Sequence, residues 1–220
     1  MKTALIIGST GLVGSQLLHL LLESSIYDKV IVFVKREIAI SHPKLIVYNI
    51  DFDKPESYQD FVKGDDFFCT IGTTIKKVGS QIAFKKVDFE YPSHFAQMAS
   101  KNKVNQFLIL SSIGANAKSS NFYLKTKGEI EDFLKKTNIK SISILRPSLL
   151  LGNRNEVRLG EKIGALFMTT FSFLFIGKIK KYKPIESKIV AQALFNIAQK
   201  ENQGFSLYES DRIQEIGANK

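Results

Sequence analysis

Ala4-Leu5-Ile6-Ile7-Gly8-Ser9-Thr10-Gly11-Leu12-Val13-Gly14 joins an apolar run to three glycines at G-x-x-G-x-x-G spacing, and Leu17-Leu18 and Leu20-Leu21-Leu22 follow. Strand, glycine turn and helix in that order are what a dinucleotide-binding turn requires. Gly8 permits a tight turn, Gly11 lets backbone N–H groups approach a pyrophosphate, and Gly14 lets the helix sit close to the strand. Phosphates would then lie at the positive end of the helix, beside Ser9, Thr10, Leu12 and Val13. The same spacing also fits an ordinary strand-to-helix turn, so the decision rests on what lies downstream.

Working outward, short β-branched and aromatic runs recur at Leu5–Ile7, Val30–Val34, Leu45–Tyr48, Phe67–Cys69, Phe107–Leu110 and Ile142–Leu145. Helical patterns fall at Leu12–Glu23, Ser93–Lys101, Phe122–Lys136 and Ser187–Lys200. Alternation of this kind is the rhythm of βαβ units, and runs apolar throughout suit parallel strands covered on both faces. The expected fold is α/β: a Rossmann-type, doubly wound parallel sheet with right-handed crossovers. In the third helix Ile130, Phe133 and Leu134 make an inward stripe, with Glu129, Glu131 and Lys135 outward. Glu209 to Lys220 is polar and is expected to fray.

With 220 residues, 44% of them hydrophobic, the chain is long enough for one well-buried core and short for two. One domain over 1–220 is expected, with a small substrate or lid region at about 152–220. The single cysteine, Cys69, excludes an intramolecular disulfide, and the apolar residues from Ala4 run into the glycine turn with no cleavage-type segment; both favour a cytoplasmic protein. Cys69 reads as a small buried hydrophobe, with no histidine near it in sequence. His19, His42 and His94 are too dispersed to suggest a metal site.

A formal net charge of +10 invites a polyanion hypothesis, but the lysines are scattered in ones and twos, as at Lys85-Lys86 and Lys135-Lys136, so no nucleic-acid partner is expected. Residues Ile163–Gly177 carry no charge and hold Phe167, Phe171, Phe173 and Phe175. Fifteen residues fall short of the ~20 that span a bilayer. A buried helix or a lid over an apolar pocket is the favoured reading of that stretch. A weak peripheral membrane contact, helped by Lys178, Lys180, Lys181 and Lys183, is the minority one.

Three further points lie where strands end. After the second strand, where NAD-selective proteins usually place a carboxylate for the ribose 2'-hydroxyl, this chain has Lys35-Arg36. A guanidinium pairs bidentately with a 2'-phosphate and stacks on adenine, so NADP(H) is preferred over NAD(H). After the third strand, Asp51-Phe52 stands where a short acid would meet the adenine amino group. After the fourth, Cys69-Thr70-Ile71-Gly72-Thr73-Thr74 supplies a small-residue turn in which Ile71, Gly72 and Thr73 pass close to a cofactor.

The catalytic candidates are Ser112, Tyr123 and Lys127. Tyr123 and Lys127 are four apart on a helical segment and share a face. An ammonium held near a phenol favours the phenolate, which gives a usable acid/base near neutrality. Ser112, at the end of the fifth strand, would polarise a substrate carbonyl, and Ser111 beside it would line the cofactor. A Tyr-x-x-x-Lys pair alone is weak; joined to a strand-end serine and the glycine turn it is strong.

Together with Ser111-Ser112-Ile113-Gly114-Ala115, Ser119-Ser120-Asn121-Phe122-Tyr123-Leu124-Lys125-Thr126-Lys127-Gly128-Glu129 and Leu145-Arg146-Pro147, these stretches resemble the atypical short-chain dehydrogenase/reductases, in particular the Tat-interacting-protein oxidoreductase branch. The resemblance runs to about Arg158. It implies a Rossmann fold, NADP(H) binding, and a tyrosine/lysine active site carried by Tyr123 and Lys127. It also implies cofactor contacts from the segment after Arg146-Pro147, with Leu150 and Arg158 at the matching positions. Read from the residues themselves, Leu149-Leu150-Leu151 offers either an apolar wall for a nicotinamide or plain core. Extended relatives carry a larger C-terminal substrate domain than the residues after Gly152 allow, so the substrate site is expected to be small or open. The leading expectation is an NADPH-dependent reductase of a small apolar carbonyl or enone. The alternatives are an NADPH-binding sensor without turnover and an NADP-dependent isomerase or epimerase. Substrate identity and oligomeric state are not written in the sequence.

Overall fold

A strand buried on both faces needs apolar side chains at every position, and β1 (Lys2–Ile7) divides them evenly. Ala4 and Ile6 enter one core; Leu5 and Ile7 enter the other. The computed structural model describes residues 1–152 and 181–219. Arg158, the apolar stretch 163–177 and the cations Lys178 and Lys180 therefore lie outside the described residues.

From β1 the chain continues through α1 (Leu12–Glu23), β2 (Tyr27–Val34), β3 (Leu45–Asn49) and β4 (Asp66–Cys69). Two short helices, α2 (Ile75–Val78) and α3 (Gln81–Lys85), lead into a π-helical turn at Lys86–Glu90 and then α4 (Tyr91–Lys101). Next come β5 (Gln106–Leu110), α5 (Phe122–Leu134), β6 (Ser141–Arg146) and the short β7 (Leu150–Leu151), which pairs in parallel with β8 (Ile185–Glu186). The chain closes with α6 (Ser187–Ala198), β9 (Gly204–Glu209) and α7 (Ser210–Ala218). Seven strands make one sheet in the order β3-β2-β1-β4-β5-β6-β9, and every neighbouring pair is parallel. The Rossmann-type sheet expected from the sequence is the fold observed.

The first core face holds α1, α6 and α7, whose Leu17, Leu21, Val190, Leu194, Ile213 and Ile216 meet Val30, Val32 and Phe68 of the sheet. The second holds α4 and α5 over an aromatic cluster. Phe95 of α4 lies 5.3 Å from both Phe33 and Phe67, and Phe67 stacks on Phe107 at 4.8 Å. Two features differ from the sequence reading. The polar end does not fray: Ile213 and Ile216 are buried, and Gly217 packs so closely that a Cβ there would lie 2.0 Å from the Ile189 carbonyl oxygen. Nor does Glu131 face outward, because it is buried as the partner of Arg146.

At the amino ends of the strands a buried polar cluster closes the sheet. Tyr27 Oη donates to Asp66 Oδ2 at 2.7 Å, and Gln106 Nε2 donates to Asp66 Oδ1 and to the Ala198 carbonyl, both at 2.8 Å. Burial pushes the Asp66 carboxyl above its usual range, against the pull of Tyr27 and Lys2. Removing one partner strands the others without water. Asp66→Ala is expected to lower stability by about 2–4 kcal/mol in urea unfolding. A change under about 0.5 kcal/mol, the range of ordinary surface substitutions, would mean that the cluster contributes nothing net.

Candidate active site

Strand order reverses between β1 and β4, so the chains leaving their carboxyl ends diverge and open a crevice, the usual ligand position in such sheets. Ile7 and Cys69 end the paired strands there. Thr70 fastens the seam: its N–H and its hydroxyl both donate to the Ile7 carbonyl, at 3.0 and 2.9 Å. Gly8 adopts φ +83°, and a Cβ on it would lie 2.5 Å from Ile71 N. A Cβ on Gly14 would lie 2.1 Å from the Gly8 oxygen and 2.5 Å from Thr70 Oγ1. Neither position has room for a side chain.

Gly11 is the N-cap of α1; no side chain caps the helix, and its first turn carries no acid. The amides of Leu12 and Val13 precede the first intrahelical donor, so they face the crevice mouth with the dipole behind them. Thr10 and Gly11 are exposed, while Ser9 Oγ is buried with no hydrogen-bond partner among the described residues. An uncapped, uncharged helix start, a turn too tight for side chains and an orphaned buried hydroxyl fit a dinucleotide pyrophosphate.

Across the crevice, Asn121 caps α5 by accepting the Leu124 N–H at 3.1 Å. One turn further, Lys127 is 5% exposed, with Nζ 2.8 Å from Asp88 Oδ1 and donating to the Leu110 carbonyl at 3.4 Å. Asp88, 1% exposed, accepts the Thr73 N–H on its other oxygen at 2.9 Å. A Cβ on Gly72 would stand 3.5 Å from Asp88 Oδ1 and 3.9 Å from Lys127 Nζ, so the backbone of the β4 turn lies directly over the ion pair. Burial works against the Lys127 ammonium, but the Asp88 carboxylate, aided by Tyr123, outweighs it and holds the pKa above the ordinary lysine value. Asp88 was not singled out in the sequence. The available signal was an acid flanked at i−4 and i+4 by Phe84 and Pro92, both buried.

Tyr123 is half-buried, its ring 5.6 Å from that of Phe84, and Ser112 is half-buried with only a long 3.4 Å bond from Oγ to the Ile113 carbonyl. The carboxyl ends of β1, β4, β5 and β6 thus gather Gly8–Gly14, Ile71–Thr73, Ser111-Ser112, Lys127 and Pro147. The Pro147 carbonyl accepts the Ile113 N–H at 3.1 Å. Lys35 and Arg36 are exposed just past β2, and Arg36 makes no ion pair among the described residues. Asp51 is exposed after β3.

Other candidates are also held by contacts within the protein. Ser111 donates its hydroxyl to Glu131, which holds Arg146 through Nε at 2.9 Å and through Nη2, so that hydroxyl braces β5 against α5. Phe52 is buried against Tyr91 and Phe95, with ring centroids at 5.1 and 5.9 Å. Leu150 packs on the α1/α6 core, which brings Gly152 against Leu12 of the glycine turn. The Cys69 thiol is fully buried, and burial pushes its pKa up to about 12, consistent with a packing role.

Fold and crevice together define an NAD(P)H-binding protein with an oxidoreductase-like Rossmann architecture. Residues 8–171 match the model of the NAD(P)H-binding family, and the chain belongs to that family. It is 33% identical over 170 residues to protein HTATIP2 of Rattus norvegicus, covering 76% of this chain and 70% of that protein. With the mitochondrial protein FMP52 of Candida albicans it shares 30% identity over 201 residues, 89% and 87% of the two chains. Among solved structures, the Bordetella bronchiseptica enzyme WbmH in complex with NAD+ superposes with a TM-score of 0.73 at 19% identity, over 99% of this chain and 80% of that one. The oxidoreductase ylbE of Lactococcus lactis gives 0.68 at 19%, over 98% and 95%.

One expectation is overturned here. The cytoplasmic assignment does not stand against relatives named as mitochondrial proteins. A single buried cysteine rules out an internal disulfide without saying which compartment holds the chain. Among the described residues no helix is long and apolar enough to cross a membrane.

Asp88→Asn keeps an acceptor for the Thr73 amide and removes the main charge that opposes burial at Lys127, leaving only the weaker help of Tyr123 and Cys69. Lys127 followed by NMR of its Cε carbon is expected to titrate above the reference of about 10.4 in the native chain and below it in the variant. Equal titration in both would show that Asp88 does not hold the charge.

Proposed function

We propose that this chain is an NADPH-dependent reductase of a small apolar carbonyl or enone, with Ser112, Tyr123 and Lys127 as its catalytic groups. The observation that carries the reading is the buried Lys127 ammonium, on the helix face of Tyr123, beneath the Gly72 turn at the mouth of the crevice. A paired charge this deep costs desolvation, and a perturbed titratable group in a cleft is a candidate functional group. Ser112 Oγ, free of any short bond, hydrogen-bonds the substrate oxygen and polarises the carbonyl. Tyr123 gives its phenolic proton to that oxygen, and Lys127, fixed by Asp88 and Leu110, stabilises the negative charge left on the phenol. A reduced nicotinamide bound in the crevice supplies the hydride that completes the reduction.

Gly8–Gly14 receives the pyrophosphate, while Ile71–Thr73, Pro147 and Leu150 approach the nicotinamide half. Lys35 and Arg36 take a 2'-phosphate, with Asp51 and Phe52 beside the adenine. Arg158 is assigned to the cofactor through the family resemblance alone. The chain acts as a single domain, with its substrate region within 152–220.

Fluorescence titration with NADPH and NADH is the first test. Arg36→Glu is expected to lower the NADPH:NADH affinity ratio about tenfold or more, the value of one charge-assisted contact; an unchanged ratio removes Arg36 from phosphate selection. In a carbonyl panel, Tyr123→Phe is expected to cut turnover by about 10²–10⁴-fold while NADPH affinity holds. Unimpaired turnover would exclude Tyr123 as the acid, and cofactor binding with no turnover on any carbonyl would make the protein a ligand-responsive binder.

A further inference from the structure

The π-helical turn between α3 and α4, with the first residue of α4, sends polar side chains to two separate places, the buried Lys127 site and the exposed loop after β3. Tyr91 N–H donates to the Lys86 carbonyl, five residues back, so the turn holds one residue more than an α-helix would and re-aims what it carries. Toward the nicotinamide end goes Asp88, which binds Lys127 Nζ and the Thr73 amide. Toward the adenosine end go Lys86 and Tyr91, and both grip one carboxylate: Lys86 Nζ lies 2.8 Å from Asp53 Oδ2, and Tyr91 Oη donates to Asp53 Oδ1 at 2.7 Å. Asp53 follows Asp51-Phe52 directly, its N–H donates to Asp51 Oδ1 at 3.0 Å, and the Phe52 ring rests on that of Tyr91. The Lys86 ammonium and the Tyr91 hydroxyl hold the Asp53 carboxyl below the usual carboxylate range, so it stays ionised.

Resting on the cofactor reading above, we propose that the turn makes Asp53 a positioning residue for Lys127: a ligand on the Asp51–Asp53 loop fixes Asp53, and Lys86, Tyr91 and the turn between them set where Asp88 stands. An exposed ion pair contributes little stability by itself, so stability does not explain why a short turn engages both oxygens of Asp53. The path is short, and beyond the exposed Lys86–Asp53 pair its parts are packed. Asp88 is buried, Phe52 is buried against α4, and Phe95 anchors that helix in the aromatic core. Adenosine-half binding thereby steadies the amine that faces the reacting end before a substrate arrives.

The test follows amide exchange at Thr73 by NMR on the full chain, with adenosine 2',5'-bisphosphate as the probe, because that molecule has the adenosine half and no nicotinamide. At saturation the probe is expected to slow Thr73 exchange about fivefold in the native chain, the low end of ordinary coupling. Asp53→Ala, and Tyr91→Phe, which keeps its ring on Phe52, should each bind the probe at their own saturation and lose the slowing. Binding with no change at Thr73, or slowing that survives in both variants, overturns the proposal and leaves the cofactor assignment intact. Failure of both the bisphosphate and NADPH to bind the native chain removes the cofactor reading and this inference with it.

Discussion

The carbonyl oxygen of Gly8 lies where a side chain on Gly14 would have to be, and the rest of the crevice depends on that contact. Because α1 starts almost in touch with the end of β1, its uncapped amides point into the gap between β1 and β4. Thr70 locks the same seam from the β4 side through its two bonds to Ile7. A larger residue at either glycine would push helix and strand apart, and the crevice would lose its geometry before any other side chain was touched.

Among the described residues, buried charge falls in a few bonded sets near the ends of the strands. At the carboxyl ends, Asp88 with Lys127 and Glu131 with Arg146 join α5 to the turn after β4, to β5 and to β6. At the amino ends, Asp66 with Tyr27 and Gln106 ties β4 to β2, to β5 and to the end of α6. Between these sets the buried positions of the sheet are apolar apart from Ser143 on β6. The two ends differ in what they leave open. Asp66 is enclosed, whereas the Asp88–Lys127 pair lies under the exposed Gly72 backbone, where a buried charge acts on whatever enters the crevice.

Much of this was legible in the chain. Ala4–Ile7, Val30–Val34 and Phe107–Leu110 are apolar at consecutive positions and rich in β-branched or aromatic residues, which suits strands covered on both sides, and the parallel sheet followed. The glycine spacing fixed where helix and strand approach, and the four-residue interval fixed that Tyr123 and Lys127 share a face. These are properties of neighbours in sequence.

What the sequence left hidden depends on residues far apart along it. Asp88 reads as one acid among several until the fold brings Lys127 and Thr73 to it, and Glu131 reads as a solvated helix position until β6 delivers Arg146. β9 was missed because Phe205 and Leu207 lie on an edge strand with partly exposed side chains. The terminal helix was missed because Ile213 and Ile216 become apolar anchors only against α6 and its neighbours. The sequence by itself determined the βαβ order, the tight glycine turn and the face carrying tyrosine and lysine, since each depends on backbone sterics and helical or strand period. Only the tertiary structure decided which charges are buried and paired, because the free energy of burying a charge is set by a partner that chain folding, not local pattern, brings within reach.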